Sequence, residues 1–273
     1  MFFDCHVHSL HSHDGKDSVA ALASSAKTAG LAGIAVTDHC DCEYAEEDRV
    51  YERIAASFRD AAQEALRFGP DLGICKGVEL GDALYDPLFA ERIVSSFAFD
   101  VILCSVHAVR FPGAEEPFSR IDFSGWSGNA LDAYLSRYYD ELAETLDRFD
   151  HDVVSHLTVP LRYICHKYGR HVENGRYREK IDAVLRLVVE KGKTLEVNTQ
   201  GLVPGGAGLC PEEAVLDRYL ALGGRDLSLG SDAHFAGAVG QGFHAAARLL
   251  RQKGVTDLVF FLGRKKQCAP IPE

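Results

Sequence analysis

Histidine and carboxylate side chains recur along this chain in a pattern suited to holding divalent metal ions. The stretch "DCHVHSLHSHDG", Asp4 to Gly15, crowds His6, His8, His11, His13 and Asp14 behind an apolar start. Asp38-His39, Glu79, His107, His156 and Asp232-Ala-His234 follow at wide intervals. Imidazole nitrogens with carboxylate oxygens suit Zn²⁺, Mn²⁺ or Fe²⁺, and the lack of a thiolate set points to a catalytic rather than a structural centre. The donors outnumber what one ion uses, so two or three ions are expected. Glu79 is the natural bridge, because a carboxylate offers two oxygens. Clustered ions ionise a bridging water near neutral pH and hold an oxyanion during displacement, which suits hydrolysis of phosphoesters above all.

Other chemistries fit less well. No G-x-S-x-G marks a serine hydrolase. The glycine-rich "GLVPGGAG", Gly201 to Gly208, lacks the Lys-Ser/Thr ending of a phosphate loop and reads as a flexible connection. Cys40-Asp-Cys42 is the one close cysteine pair, and no second pair completes a tetrahedral thiolate site.

Short β-type runs must position these donors. They are Phe2-Cys5, Ile34-Thr37, Ile74-Val78, Val101-Ser105, Val153-Ser155, Leu195-Asn198 and Leu227-Leu229, with a last at Leu258-Leu262. Amphipathic stretches lie between them. Ser18 to Ala29 starts at an Asp-Ser cap and stops at Gly30; Ala45 to Phe68, Ala130 to Phe149, Arg178 to Glu190, Glu212 to Leu222 and Gly242 to Lys253 carry apolar residues at helical spacing. Such alternation implies parallel strands joined by crossovers. The donors fall at the C-terminal ends of successive strands, which converge on one face in a parallel barrel. The polar, glycine-rich Phe111 to Asn129 is expected to loop over one end.

The chain has 273 residues, 47% of them apolar, with no repeat or linker, so a single domain spanning 1-273 is expected. A formal charge of −11 opposes binding to long nucleic acid through a basic surface, while leaving room for a small anionic substrate beside metal cations. No leader or membrane-length apolar run is visible, so a cytoplasmic protein without a membrane partner is expected, its eight cysteines reduced.

The elements "DCHVHSLHSHDG", "AVTDHCD", "GVEL", "ILCSVHAV", "DVVSHLTVPLRY", "LEVNTQGL" and "LGSDAHFAGAVGQGF", in this order, resemble the PHP (polymerase and histidinol phosphatase) family. The "SHL…RY" and "LEVNT" elements and the tail "FFLGRKKQCAPIP" point within it to the histidinol-phosphatases. The resemblance implies an α/β fold, a distorted (β/α)7 TIM-like barrel with a trinuclear metal centre. It places His6, His8, Glu79 and Asp232 on one ion, Glu79, His107 and His156 on a second, and Asp14, His39 and His234 on a third. His11 and His13 are then spare, and His151, His166, His171 and His244 have no motif position, which leaves them surface or supporting roles. Arg162, in the "RY" element, is the expected phosphate clamp, because a guanidinium matches phosphate geometry; Arg110 and Lys167 are weaker candidates. Asp232 or His234 is expected to protonate the leaving alkoxide. The implied activity is hydrolysis of the small phosphomonoester L-histidinol phosphate by a metal-bridging hydroxide. The alternatives are a PHP phosphatase or phosphodiesterase acting on nucleotides or other small phosphoesters, and a non-catalytic metal-binding protein.

Overall fold

A computed structural model describes residues 1–170, 172 and 178–272. Parallel strands form a nearly closed barrel in the order β1 (Phe3–Val7), β2 (Gly33–Val36), β4 (Gly73–Gly81), β5 (Val101–Ser105), β6 (Val153–Val154), β7 (Thr194–Asn198) and β8 (Leu227–Gly230). A short β3 (His39–Asp41) pairs with the end of β4, setting His39 opposite Glu79. Helices α1 (Val19–Thr28), α2 (Val50–Phe68), α3 (Pro87–Ser96), α4 (Gly128–Arg148), α6 (Arg178–Glu190), α7 (Glu213–Ala221) and α8 (Phe243–Gln252) supply the crossovers, with a single turn α5 (Val159–Leu161) after β6. The expected (β/α)7 barrel is therefore present.

The seam between β1 and β8 closes beyond the last ladder pair. Asp232 N–H donates to the His6 carbonyl (2.9 Å), and His8 N–H donates to the Ala233 carbonyl (2.8 Å). These bonds bring the first and last donor segments together across more than two hundred residues of chain.

Sequence and structure differ at several boundaries. The helix expected from Ala45 begins only at Val50, because Cys42–Tyr44 forms a 3-10 turn and Arg49 takes a left-handed conformation (φ 50°). Helix α3 is absent from the sequence expectations; Asp86 caps it, accepting from Phe89 N–H, with Pro87 at its first position. Ser18 and Ser127 cap α1 and α4, accepting from the N–H of Ala21 and Ala130. The expected long loop is present before α4, but Phe118 and Phe123 are buried within it and pack on Tyr138 and Tyr134.

The final strand expectation resolves into a hairpin, β9 (Asp257–Leu262) with β10 (Lys265–Pro270). Val259 and Phe261 pack against Ala35, Cys75, Val101, Leu103 and Val153, and Phe3 stacks on Phe260 (4.9 Å). The hairpin thus plugs the end of the barrel where the strands begin, away from the donors. All eight cysteines are free. No helix among the described residues is long and apolar enough to cross a membrane.

Replacing Phe261 with Ala should remove this plug and cost about 3 kcal/mol, the usual penalty for truncating a buried aromatic. Denaturant unfolding should show the loss, with metal content at the opposite end unchanged.

Candidate metal centre

A His-x-His pair on a regular strand points to opposite faces, so both rings reach one ion only if the strand bends. The β1–β2 register shifts between Asp4 and Val7, and beyond it the two rings face each other, Nε2 to Nε2, at 2.9 Å. Asp232 Oδ1 stands 3.2 Å from His8 Nε2 and 3.8 Å from His6 Nε2. Glu79 Oε2 lies 3.4 and 3.6 Å from the same two nitrogens. Donors about 2.0–2.1 Å from a tetrahedral ion stand about 3.3 Å apart, so these spacings suit one ion. The other Glu79 oxygen, Oε1, lies 2.7 Å from His156 Nε2 and 3.3 Å from His107 Nε2, and those two nitrogens are 3.4 Å apart. Asp14 lies 3.2 Å from His234 Nε2 and 3.7 Å from His39 Nε2. The nine residues that the family resemblance assigns as ligands therefore meet at one end of the barrel, with Glu79 between two groups.

His39 Nδ1, Glu79 Oε2 and His234 Nε2 are buried without a hydrogen-bond partner. His39 Nδ1 and Glu79 Oε2 are only 2.8 Å apart, yet not aligned for a hydrogen bond. Buried polar atoms left unpaired are costly, and a divalent ion would satisfy them. The residues fit such a group.

Electrostatics support the same reading. Burial disfavours charge on His6, but Glu196, Glu79 and Asp232 outweigh it and raise this imidazole well above its ordinary range. His8 is pushed the other way, to about 3, by burial and then by the neighbouring His39 and His234 rings. Burial again opposes charge on His39, yet Asp41 and Glu79 raise it to about 9. Glu79 and Asp232 stay ionised despite their burial, held far below the usual carboxylate range by the surrounding histidines.

A supporting shell fixes these rings, and the sequence reading missed most of it. Glu196 accepts from His6 Nδ1 (2.7 Å) and from the His156 backbone N–H (2.6 Å). The latter bond steadies His156 in a left-handed conformation (φ 26°) that a side chain seldom adopts. The signal lay in "LEVNT": an acid inside an otherwise apolar strand is unusual unless it is paired. Gly230 leaves room for the arrangement, since a Cβ there would lie 2.1 Å from Glu196 Oε1 and 2.7 Å from His6 Cβ. Asp41 Oδ1 accepts from His107 Nδ1 (3.0 Å), and Gly81 makes space for that pair, with a Cβ 2.5 Å from Asp41 Oδ1. Such outer partners set the tautomer and orientation of ligating histidines.

Other candidates land elsewhere. Asp38, grouped with the strand-end donors, is instead buried among hydroxyls, accepting from Ser9, Ser12 and Ser57, while Ser12 also bonds His8 Nδ1 (3.1 Å). His11 pairs with Asp60. His13 stacks on His39 at the mouth of the cleft. His151 is not at the surface: it is buried, bonds the Phe149 carbonyl, and is pushed down to about 4 mainly by burial. His166 and His244 are exposed, and His171 lies outside the described residues. Arg110 is committed to Glu141 and Glu144, and Lys167 to the Ser119 carbonyl.

Arg162, by contrast, lines a cleft of about 410 Å³ above the cluster, together with Asp14, His39, His107, His156, Asp232 and His234. Its guanidinium donates to Asn198 Oδ1 (3.0 Å) and Gln200 Oε1. Asn198 Nδ2 donates in turn to Asp232 Oδ2 (3.2 Å), so the arginine and the cluster share one hydrogen-bond network.

Residues 4–200 match the family model of the PHP domain. The chain is 25% identical over 250 residues to a Thermotoga maritima protein named "Probable histidinol-phosphatase", covering 91% of each. It is 24% identical over 265 residues to the histidinol-phosphatase of Lactococcus lactis, covering 96% of this chain and 95% of that one. Its fold is similar to the crystal structure of histidinol phosphate phosphatase from Lactococcus lactis complexed with zinc, L-histidinol and phosphate. There the TM-score is 0.76 at 22% identity, over 97% of this chain and 98% of the other.

Two outcomes are expected. Glu196→Gln should weaken metal retention about 10- to 100-fold, as loss of a partner behind a ligating histidine does, measured as metal content after dialysis against a graded chelator. Metal binding must also displace the protons on His6 and His39. Between the ordinary histidine value of 6.5 and about 9, His39 is charged only in the metal-free protein, so loading near pH 8 should release protons and affinity should fall as pH drops. Calorimetry in two buffers of different ionisation enthalpy checks this.

Proposed function

The chain belongs to the PHP domain family, and from that premise we propose that it is a metal-dependent phosphatase hydrolysing L-histidinol phosphate to L-histidinol and phosphate. The observation that carries this reading is the placement of the Arg162 guanidinium over the same cleft as the converging His and carboxylate donors. A phosphomonoester needs both kinds of partner. The names of full-length relatives direct the choice of ester. Three ions of zinc, manganese or iron would be held by His6, His8, Glu79 and Asp232; by Glu79, His107 and His156; and by Asp14, His39 and His234.

Divalent ions supply Lewis-acid polarisation and an ionised water nucleophile when bound. The chain's own residues do the rest. Arg162 binds two phosphate oxygens through its planar fork and stabilises the charge that develops on them. Asn198 and Gln200 hold that fork in place. Of the two candidates for proton transfer, His234 has Nδ1 bonded to the Asp232 carbonyl, and its Nε2, beside Asp14, is the atom left to hold a metal ion. Asp232 Oδ2 has only the Asn198 amide; ionised at rest, this carboxylate takes the proton given up by the attacking water and passes it to the leaving oxygen.

His39→Ala and Asp232→Ala should each lower kcat by about 100-fold or more in metal-replete buffer, as expected for groups acting as one unit. Steady-state assays should give a kcat/KM for L-histidinol phosphate at least about tenfold above those for mononucleotides and a phosphodiester. A nucleotide preference of that size would reassign the substrate.

A further inference from the structure

The walls of the cleft carry chemistry that the metal cluster and the phosphate clamp leave unused. Its acidic lining consists of Asp14, Asp41, Asp48 and Asp232. Three of these are committed: Asp14 to His234, Asp41 to His107, and Asp232 to His8 and Asn198. Asp48 is not, and among the described residues its carboxylate has no hydrogen bond or ion pair. It sits on the turn that follows the 3-10 segment, where Asp48 N–H donates to the Tyr44 carbonyl (3.0 Å). That spacing of four residues sets both side chains on one face of the turn, and both line the cleft. The Tyr44 ring already accepts a cation, for the Arg120 guanidinium lies 5.7 Å from its centroid. Arg120 lines the cleft too but makes no ion pair with Asp48, so the carboxylate is free to take a charge from elsewhere.

We propose that the Tyr44–Asp48 turn is the leaving-group subsite, with the Asp48 carboxylate pairing the ammonium group of a cationic amino-alcohol phosphate. This rests on the reading of the substrate as L-histidinol phosphate, whose primary amine is protonated near neutral pH. The amine is the one part of that molecule carrying positive charge into a site otherwise built for an anion. With the clamp and the unpaired carboxylate both lining the cleft, the polarity of binding is set by charge: phosphate toward Arg162, amine toward Asp48. It also discriminates against mononucleotides, whose leaving groups carry no ammonium to satisfy it.

The test uses the full, metal-loaded chain and compares L-histidinol phosphate with p-nitrophenyl phosphate, which has no amine. Asp48→Asn should raise KM for L-histidinol phosphate about tenfold while changing kcat little, as the loss of one charge-assisted contact made equally in ground and transition states. The rise should exceed that for p-nitrophenyl phosphate by about fivefold or more. The inhibition constant of L-histidinol, read against p-nitrophenyl phosphate hydrolysis, should rise in parallel, and Asp48→Glu should recover most of the loss. A wild-type preference for L-histidinol phosphate that survives Asp48→Asn would overturn the subsite and leave the substrate reading standing. A wild-type enzyme with no such preference would overturn the substrate reading and the subsite together.

Discussion

The seam where the barrel closes carries the burden of the whole site. A parallel barrel has to join its first and last strands, and here the joint is two backbone hydrogen bonds between the His6–His8 and Asp232–Ala233 segments. The same bonds that remove the free edges of the sheet set His6, His8 and Asp232 within a few ångströms of one another. Closure and ligand assembly are one event. It demands local concessions: a register shift in β1, a left-handed Asp232 (φ 52°) and a glycine at 230 where any side chain would strike Glu196. Departures from regular backbone of this kind cluster where a fold holds reactive groups, because surrounding contacts must overdetermine them.

Around that seam the protein gathers buried charge on a scale a barrel interior does not otherwise tolerate. Glu79, Glu196, His6 and His8 are all fully buried. Each carboxylate faces imidazoles, and the imidazoles are held by further acids, so the set is balanced as a network rather than as separate pairs. What remains unbalanced are the inward-facing lone pairs of His39, Glu79 and His234, which the fold leaves for metal ions. The opposite end of the barrel shows the contrast. There the β9–β10 hairpin fills the opening with Val259 and Phe261, and apolar packing stabilises it.

The cleft above the cluster inherits its shape from segments with little regular structure. The loop before α4 is long and polar in sequence, yet it is anchored by Phe118 and Phe123 and presents Ser119 and Arg120 to the cleft. The turn that delays α2 until Val50 presents Tyr44 and Asp48 to the same cleft. The boundary at which helical periodicity misjudged the structure is thus the one that shapes the substrate side of the site. A function that needs an irregular wall overrides the local preference for helix.

The sequence by itself determined the barrel and the residues that converge on it. Apolar runs and amphipathic stretches alternate clearly, and a donor at the end of nearly every strand is meaningful because parallel strand ends share one face. His6, His8, Asp14, His39, Glu79, His107, His156, Asp232, His234 and Arg162 were all legible in this way or through their motifs. Asp38 looked the same and is not part of the cluster, because the hydroxyls of Ser9, Ser12 and Ser57 claim it, and those contacts come from separate elements. Glu196 and Asp41, which orient the ligand rings, and Asp48, which remains unpaired, were likewise decided only by tertiary structure. Periodicity reports which face a residue occupies. Which partner it meets depends on how distant segments pack, and that is settled only when the barrel closes.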